Sequence, residues 1–503
     1  MIFKAVSQID GKTEKSFFLE QVNVYTRLVQ CFCEKYDIRF VDSPEVDIKN
    51  ELKEMGIINE ISELKELKGL LGENYHSFKT AVKIAVLNKT LMGDLLDKLY
   101  NSKRKEMQIE AAKRNGMTLV DFFCGAGGLS LGFLQEGFNV KLANDIEDVC
   151  IQTYKYNHPE LPSNKLIQGD IKQIVDHVEE YIDQEIDIVV GGPPCQGFSE
   201  ANRQRVIDDP RNKLYKYFIQ AVEKIVPKFV VMENVKGMLK VADQVVEDYE
   251  SLKIRKNGKV YSYKVAYQVL NSQNFSVAQS RERLIYIAVR NDVIKEKKIT
   301  PKKIFEQIED SCKKNRQYIL QDALNDIKAL DAPRIKNVNE IDSETTGKKI
   351  DVNVFENNDN AYLKLINKGR KIPYVYNHKA RYLSDVNYKI YSKLNSGDDA
   401  TDEKIADIMP YAHRNHCFKD KYYKLYADRP CRTITAHLRM DCHSHIHPTQ
   451  VRALTPREAA RVQSFPDDYL FWGAYLKTYM QVGNAVPPMM ARGIASIIKQ
   501  YLE

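Results

Sequence analysis

Residues 117–134 constrain the fold of this 503-residue chain more than any other stretch. Residues 117–123 are strand-like, the run Cys124-Gly125-Ala126-Gly127-Gly128 follows, and residues 129–134 have a helical pattern. A strand, a glycine-rich turn and a helix amino terminus form a nucleotide-binding βα unit, because glycines allow close approach and the helix end offers free N–H groups. The glycine spacing is shorter than in the dinucleotide fingerprint, and no Lys-Ser or Lys-Thr pair follows as in a P-loop. NAD and ATP are therefore disfavoured.

A second glycine-rich segment follows the short apolar run at residues 186–190, which we predict to be a buried strand. The segment is Gly191-Gly192-Pro193-Pro194-Cys195-Gln196-Gly197-Phe198-Ser199. Open α/β sheets place their sites at the carboxyl ends of strands, and these glycines and prolines would turn the backbone there and present the thiol of Cys195. The alternative is a small cysteine buried in the core. The run Gln196-Gly197-Phe198-Ser199 that follows favours a reactive thiol, because such a thiol needs partial exposure and polar neighbours.

Three carboxylates follow predicted strands. Asp145 ends the second strand, Asp170 ends the third, and Glu233 follows the apolar run at residues 229–232. Asp145 lies about twenty residues past the glycine-rich turn, where a carboxylate can accept hydrogen bonds from ribose hydroxyls, although either aspartate could instead cap a helix. An unpaired buried carboxylate is costly, so Glu233 is either satisfied by its neighbours or held for chemistry. Its predicted position beside the Cys195 loop favours chemistry.

The order of these motifs resembles that of the DNA cytosine-5 methyltransferases of the bacterial restriction-modification type. The resemblance extends to Gln279-Ser280-Arg281-Glu282-Arg283, to Arg429-Pro430-Cys431-Arg432-Thr433-Ile434-Thr435-Ala436 and to Gln481-Val482-Gly483-Asn484-Ala485-Val486-Pro487-Pro488. It implies an α/β fold: a Rossmann-like S-adenosylmethionine-dependent methyltransferase sheet, with a smaller inserted target-recognition domain and an N-terminal helical extension. It covers residues 118–488 and leaves residues 1–115 unmatched.

The resemblance also assigns the catalytic residues. It makes Cys195 the nucleophile and places Glu233 on the ring nitrogen and exocyclic amine of cytosine. It has Arg283 donate to the cytosine carbonyl oxygen, with support from Arg281; the alternative for these arginines is surface ion pairing with Glu282. Carbon 5 of cytosine is a poor nucleophile, and addition of a thiolate to carbon 6 creates an enamine that can attack a methyl group. The target base must be flipped out of the duplex for this reaction.

S-adenosylmethionine is the methyl donor that the resemblance implies. Its binding residues would be Phe123, Gly125, Gly127, Gly128, Asp145, Asp170, Pro193 and Asn484. Phe123 would lie against the adenine ring, Asp170 would contact the adenine amino group, and Asn484 would lie near the methionine part. No metal is expected, because the alternating histidines of residues 441–447 match no paired zinc motif. We predict a strand there whose histidines face phosphate or pack on the recognition region.

Double-stranded DNA is the implied partner. Residues 200–212 form a polar, basic loop that is too long for a tight turn; it is either a solvated loop or one that closes over the target base. The residues assigned to DNA contacts are Ser199, Arg203, Arg205, Arg432 and Thr435. A net charge of +7 fits a polyanionic partner without demonstrating one. A cognate restriction endonuclease that shares the site is a second implied partner, since the enzyme would protect DNA in a restriction-modification system.

The chain divides into four predicted segments. Residues 1–115 are a helical extension of unknown role, residues 116–290 the catalytic domain, residues 291–450 the target-recognition region, and residues 451–503 a segment that returns to the catalytic domain. In the first, paired helices and a basic linker admit a helix-turn-helix that contacts phosphate, although we favour a helical packing or dimerisation domain. In the last, Thr455-Pro456-Arg457-Glu458 predicts a capped helix start.

Composition is typical of an intracellular protein. Nine scattered cysteines argue against a disulfide framework and for reduced thiols. No apolar run approaches the length of a membrane span, and the first residues lack a signal-peptide pattern. We expect a cytoplasmic protein that is associated with the nucleoid through DNA and has no membrane partner. Two rival functions stay open: a tRNA cytosine-5 methyltransferase with the same chemistry, and a non-catalytic DNA-binding regulator that keeps the fold.

Overall fold

The architecture is built on a seven-stranded sheet. The structure is a computed structural model that describes residues 3, 5–38, 46–88, 116–194, 214–336, 342–352, 359–367, 374–410 and 421–503. Its strands are β1 (Thr118–Phe122), β2 (Asn139–Asp145), β3 (Leu166–Gln168), β4 (Ile188–Gly191), β5 (Phe229–Val235), β6 (Ile254–Lys256), β7 (Lys259–Tyr261), β8 (Tyr263–Asn271), β9 (Glu282–Arg290), β10 (Gly347–Val352) and β11 (Tyr374–Lys379). The large sheet has the order β3-β2-β1-β4-β5-β9-β8, and β6–β7 and β10–β11 form two separate hairpins.

The first five strands of the sheet pair in parallel, and β9 pairs antiparallel with both β5 and β8. β1, β4 and β5 are buried along almost their whole length, as continuous apolar strands covered on both faces should be. The strands predicted at residues 117–123, 186–190 and 229–232 are thereby confirmed. This is the Rossmann-like sheet that the sequence predicts, and the carboxyl ends of its parallel strands share one edge.

Helices cover both faces of the sheet. The described α-helices are α1 (Gly11–Tyr36), α2 (Lys49–Glu54), α3 (Leu64–Leu71), α4 (Asn74–Leu87), α5 (Gly128–Gln135), α6 (Asp148–Asn157), α7 (Ile171–Asp176), α8 (Val178–Tyr181), α9 (Leu214–Ile225), α10 (Ala242–Glu250), α11 (Asn291–Lys297), α12 (Pro301–Cys312), α13 (Leu320–Leu324), α14 (Ala361–Ile366), α15 (Asp385–Lys393), α16 (Pro456–Val462), α17 (Tyr475–Asn484) and α18 (Pro488–Lys499). On one face α5, α12 and α18 share a core that includes Ile304 and Met490. On the other, α7, α9 and α10 share a core that includes Phe218 and Val245.

The contact of α18 with α5 brings the end of the chain onto the catalytic sheet. A Cβ atom on Gly132 would lie 2.5 Å from the Cβ of Ala491 and 2.5 Å from the carbonyl oxygen of Pro488. Because real Cβ atoms never come that close, only glycine allows the two helices to approach in this way. The last helix thus supports the helix that follows the glycine-rich loop.

The described residues between 3 and 88 form a helical unit with its own core. Phe18 and Val22 of α1 pack there with Leu52, Leu67 and Phe78. Its helices α1 to α4 lie within the helical extension predicted for residues 1–115. One face of α1 also contacts β10, far along the chain.

The described residues of the predicted recognition region, residues 291–450, form α11 to α15 and the β10–β11 pair. Its helices α13 to α15 pack with α16 and α17 around Tyr362, Ile390 and Ile434. The strand predicted at residues 441–447 is wrong: these residues form turns, and Ile446 makes isolated bridges. Cys442 has a φ of 62°, a left-handed conformation that an extended strand does not accommodate. Within the described ranges, no helix is both long and apolar enough to cross a membrane.

Candidate active site

An ion pair between Glu233 and Arg283 lies at the carboxyl edge of the sheet. The Nε of Arg283 is 2.8 Å from the Oε1 of Glu233, and both side chains are nearly buried. The register explains the contact: Glu233 lies opposite Ile285, so Arg283, two residues earlier, is its diagonal neighbour on the same face. Burial lowers the pKa of Arg283, and the Glu233 carboxylate opposes that shift. The surface ion pair with Glu282 that the sequence left open for Arg283 is not the one observed.

The loop that leads to Cys195 lies against this carboxylate. A Cβ on Gly191 would lie 2.4 Å from the carbonyl oxygen of Phe122, and a Cβ on Gly192 would lie 2.9 Å from the Oε2 of Glu233. The Nδ2 of Asn234 donates to the carbonyl oxygen of Pro193 at 2.9 Å. Gly191 is therefore required by its close approach to the backbone of β1, and a side chain at position 192 would displace the Glu233 carboxylate. Cys195, Ser199, Arg203 and Arg205 lie outside the described residues.

Arg281 faces a different part of the molecule from Arg283. Its side chain is 1% exposed, and its Nη1 and Nη2 donate to the carbonyl oxygens of Ile434 at 2.5 Å and Gly483 at 3.0 Å. Gln279, which the sequence analysis did not select, adds a second link because its Oε1 accepts from the N–H of Ile434 at 2.6 Å. Arg281 and Gln279 thus join the motif at residues 279–283 to the motifs at residues 429–436 and 481–488.

The glycine-rich loop between β1 and α5 has a strongly constrained backbone. Phe123, Gly125 and Gly127 have φ angles of 56°, 51° and 85°, and a positive φ at the non-glycine Phe123 is a strained conformation typical of functional sites. The N–H of Gly125 donates to the Oδ2 of Asp145 at 2.8 Å. Burial raises the pKa of Asp145, and the N–H groups of Glu147 and Gly125 oppose the shift. Asp145 thus ends β2 directly beneath the loop.

Two aromatic residues that the sequence analysis missed support this loop. The hydroxyl of Tyr469 donates to the carbonyl oxygen of Ala126 and lies 2.9 Å from the Nε2 of His158. A Cβ on Gly127 would lie 2.8 Å from that hydroxyl, and a Cβ on Gly128 would lie 2.3 Å from the carbonyl oxygen of Val486. No local pattern could reveal these contacts, because Tyr469 and Ala126 are 343 residues apart.

Beneath the loop lies a buried carboxyl group. Asp121 is 0% exposed, and its Oδ2 accepts from the hydroxyl of Ser130, which in turn accepts from the hydroxyl of Tyr154 at 2.8 Å. Burial raises the pKa of Asp121 to about 7, and the Ser130 hydrogen bond opposes this shift. The carboxyl group therefore ties β1 to α5 and titrates near neutral pH.

The remaining residues assigned to the cofactor occupy exposed positions. Asp170 is the N-cap of α7, where its Oδ1 accepts from the N–H of Lys172 at 2.9 Å, so the capping role left open by the sequence is present. Asn484 is the last residue of α17 and is exposed. Both side chains keep polar atoms available to a ligand.

Arg432 and Thr435 lie on the segment that Arg281 holds. The guanidinium of Arg432 is 4.7 Å from the ring centre of Tyr423. Thr435 is exposed and precedes a short 3-10 turn, Ala436–Arg439. A Cβ on Gly483 would lie 2.5 Å from the carbonyl oxygen of Thr435, so α17 presses directly on this segment. Both assigned residues therefore belong to a rigidly supported surface.

The three alternating histidines are packed side chains. The ring of His443 stacks on Tyr422 with centroids 4.4 Å apart, and burial lowers its pKa to about 4. Burial also lowers the pKa of His445 and of His447, each to about 3. In the part of the chain that the structure describes, no group of three histidine, cysteine or acidic side chains is placed to hold a metal ion.

This sheet and its functional edge define a Rossmann-like methyltransferase. Residues 117–500 match the family model of the C-5 cytosine-specific DNA methylases. The chain belongs to this family and is an enzyme that methylates carbon 5 of cytosine in DNA. The family is described by its action on DNA, so the tRNA methyltransferase and the non-catalytic regulator are not favoured.

Known methyltransferases are similar to this protein over most of its chain. The type II methyltransferase M.DdeI of Desulfomicrobium norvegicum is 31% identical over 418 residues, covering 77% of this chain and 89% of its own. The type II methyltransferase M1.HphI of Haemophilus parahaemolyticus is 31% identical over 396 residues, covering 76% of this chain and 86% of its own. An E. coli crystal structure, described as a DNA modification methyltransferase encoded within a prophage, shares the fold with a TM-score of 0.57 at 23% identity and covers 77% of this chain and 99% of that one.

Proposed function

We propose that this enzyme transfers the methyl group of S-adenosylmethionine to a cytosine flipped out of a specific double-stranded DNA sequence, through a covalent adduct with Cys195. The pairing of Glu233 with Arg283 against the glycines that lead to Cys195 carries the proposal. A carboxyl group and a guanidinium held together at a strand end match the polar edge of cytosine, which presents a ring nitrogen, an amine and a carbonyl oxygen.

The donor supplies an electrophilic methyl group on a sulfonium. The thiolate of Cys195 forms a bond to carbon 6 of cytosine, and the electron pair of the ring double bond moves towards carbon 5. Glu233, hydrogen-bonded to the ring nitrogen, stabilises the charge that develops on the ring. Carbon 5 would then take the methyl group as the bond between that methyl group and the sulfonium sulfur breaks, which leaves S-adenosylhomocysteine. Loss of the carbon 5 proton to a base restores the double bond and expels the thiolate.

The two arginines have different roles in this proposal. Arg283 orients Glu233 and donates to the cytosine carbonyl oxygen; a guanidinium has five N–H donors, and the described bonds to Glu233 and to the carbonyl oxygen of Glu282 use two of them. Arg281 is a positioning residue, because both of its Nη atoms donate to backbone carbonyls. It supports Arg283 by fixing the backbone that surrounds it.

The residues around the glycine-rich loop fit S-adenosylmethionine. Positive φ angles bring the loop backbone close to a ligand, the first N–H groups of α5 lack helical partners, and the carboxyl group of Asp145 lies beneath. We assign the cofactor to Phe123, Gly125, Gly127, Gly128, Asp145, Asp170, Pro193 and Asn484. Phe123, half-buried in its left-handed conformation, would lie against the adenine ring.

We assign recognition of the DNA sequence to residues 291–450. We assign contacts with the DNA backbone to Ser199, Arg203, Arg205, Arg432 and Thr435. Since the relatives are named type II methyltransferases, we further propose that the enzyme protects DNA in a restriction-modification system in the bacterial cytoplasm. Its partner would be an endonuclease that cuts the same sequence when it is unmethylated.

The experiment is transfer of tritium-labelled methyl groups to duplex DNA and to tRNA by the wild type and by Cys195→Ala, followed by sequencing of the methylated positions. The control is Cys312→Ala, a partly exposed cysteine on α12. We expect label on DNA cytosines with the wild type and Cys312→Ala, and none with Cys195→Ala. Label on tRNA alone, or undiminished label with Cys195→Ala, would overturn the proposal.

A further inference from the structure

The long helix α1 has two buried faces. One face contributes Phe18, Val22 and Val29 to the core of the N-terminal unit. The other contributes Val24, Leu28 and Cys31, each at most 1% exposed, to a second cluster that contains Ile350 and Tyr376 of the β10–β11 hairpin together with Leu470 and Trp472. The N-terminal unit therefore shares an apolar interface with both the recognition region and the C-terminal segment.

A partly buried ion pair lies at the edge of this interface. The Oε2 of Glu20 on α1 accepts from the N–H of Gly473 at 2.8 Å, and the same carboxylate pairs with the ammonium group of Lys349 on β10. That ammonium group also lies 5.9 Å from the centre of the Trp472 ring. Glu20 thus joins the hairpin to the C-terminal segment through a single carboxylate.

Arg27, two turns further along α1, makes a second link. Its Nε donates to the carbonyl oxygen of Ile350 at 3.1 Å and lies 3.9 Å from a carboxylate oxygen of Asp342. The other oxygen of Asp342 accepts from the N–H of Lys349 at 3.1 Å and from the Nζ of Lys379 at 3.2 Å. Arg27 therefore contacts the carboxylate that joins the two strands of the hairpin.

The hairpin needs such support. A two-stranded ribbon is marginally stable alone, and this one is held between two surfaces. On one side the amide group of Asn377 exchanges two hydrogen bonds with the backbone of Phe471, each 3.0 Å long. On the other side lies α1. Without α1, the apolar side chains of Ile350 and Tyr376 would lose the cover of Val24, Leu28 and Cys31.

We propose that the N-terminal helical unit is a brace that fixes the β10–β11 hairpin of the recognition region against the catalytic domain, with Glu20 and Arg27 as positioning residues for DNA recognition. The inference rests on the proposed function in one respect, that residues 291–450 recognise DNA. It gives the part of the chain outside the family match a role in target binding.

The test uses the full-length enzyme and Glu20→Lys, which places a second positive charge beside Lys349. The pair is partly buried, and the new charge would repel Lys349 where access to water is reduced. We therefore expect hydrogen exchange of the β10 and β11 amides to accelerate by about tenfold. The KM for duplex DNA should rise about fivefold, while the KM for S-adenosylmethionine stays within about twofold. The double variant Glu20→Lys/Lys349→Glu should restore most of the protection, and Asn23→Lys, on the exposed side of α1, should leave both readouts unchanged.

Unchanged hairpin exchange in Glu20→Lys would overturn the brace. Faster exchange with an unchanged KM for DNA would overturn the positioning role. If Glu20→Lys does not fold, Glu20→Gln keeps an acceptor for the N–H of Gly473 and loses the charge, and it should give smaller changes in the same direction. The exchange measurement requires no DNA, so a wild type that fails to methylate duplex DNA would contradict the proposed function while the brace is still tested.

Discussion

The sheet edge and the segments that follow β9 (residues 291–503) hold their polar side chains by different means. At the sheet edge, Glu233 and Arg283 meet because the backbone ladder of β5 and β9 sets their register. In the segments after β9, buried arginines fix irregular backbone: Arg457 donates to the carbonyl oxygen of Tyr376, and Arg461 donates to the carbonyl oxygen of Asn325. The comparison teaches that strand pairing fixes the two charged groups at the sheet edge, whereas buried ion pairs and hydrogen bonds of arginines fix the irregular segments that follow.

The buried arginines are matched by buried carboxylates. Arg452 lies 2.6 Å from Glu458, and Arg461 lies 2.7 Å from Asp467, with all four side chains 0% exposed. Although burial disfavours the Glu458 carboxylate, the guanidinium of Arg452 holds its pKa well below the usual range. Such pairs are costly to assemble and costlier to break, because the surviving charge stays buried.

The largest expected effect follows from breaking one of these pairs. Glu458→Gln leaves Arg452 without its counter-charge, and we expect the free energy of opening of α16 to fall by about 3–5 kcal/mol. Native-state hydrogen exchange of the α16 amides measures this change. An exposed pair offers the control, since Glu282→Gln removes only the surface partner of Lys236. A change below about 1 kcal/mol in Glu458→Gln would show that the arginines do not hold this region.

A loss of similar size is expected at the sheet edge, but in catalysis rather than stability. Glu233→Gln keeps the shape of the side chain and removes its charge, so kcat should fall about 10²- to 10³-fold. Thermal unfolding should change less than in Glu458→Gln, because the side chains of Glu233 and Arg283 stay 11% and 13% exposed, whereas those of Glu458 and Arg452 are 0% exposed. Single-turnover methyl transfer with saturating DNA measures the effect. A kcat within about threefold of the wild type would remove Glu233 from the proposed chemistry.

The two regions should also respond oppositely to pH. Burial raises the pKa of Asp121 in β1 to about 7. Between pH 4 and 7 the folded state therefore holds a proton that the unfolded state loses. The free energy of unfolding falls as pH rises through this range. Burial lowers the pKa of His378 in β11 to about 4, so between pH 4 and 6.5 the unfolded state binds the extra proton, and stability rises as pH rises. Each slope is at most about 1.4 kcal/mol per pH unit.

Hydrogen exchange of β1 and β11 between pH 4.5 and 6.5 compares these slopes after correction for the intrinsic exchange rates. Asp121→Asn should flatten the slope at β1 and leave the slope at β11. Slopes of the same sign in the wild type would contradict the contrast between the two regions.

The smallest expected effect concerns the contact that joins the regions at the glycine-rich loop. Tyr469→Phe removes the hydrogen bond to the carbonyl oxygen of Ala126, and we expect S-adenosylmethionine to bind about two- to tenfold more weakly. Calorimetry measures the affinity. The matched control is Tyr215→Phe, whose hydroxyl donates to Asp248 on the covered face of the sheet. Equal effects of the two variants would assign the loss to general stability.

Local pattern made the sheet predictable from the sequence. Apolar runs followed by glycine or acidic residues predicted β1, β4 and β5, and the pattern of Thr455, Pro456 and Glu458 predicted the capping box at the start of α16, which the structure confirms. Each of these signals lies within about ten residues, where backbone preference and burial period act directly.

Contacts between distant residues were not predictable. The strand predicted at residues 441–447 is wrong because stacking with Tyr422 and the left-handed Cys442 favour turns. The link from Glu20 to Gly473 spans 453 residues, and no single-sequence pattern encodes such a pairing. The roles of the individual site residues stay predictions, and the loop that carries Cys195 lies outside the described residues.

The most direct test of the central claim is mass spectrometry of the enzyme with a duplex whose target cytosine, once mapped by sequencing, carries fluorine at carbon 5. Fluorine cannot leave as a proton does. After methyl transfer, the thiolate of Cys195 therefore cannot be expelled from carbon 6. The account predicts a stable adduct of enzyme and methylated duplex, located on the peptide of Cys195 and missing in Cys195→Ala. A link at another residue, or methylation of the ordinary duplex without any adduct on the fluorinated one, would contradict it.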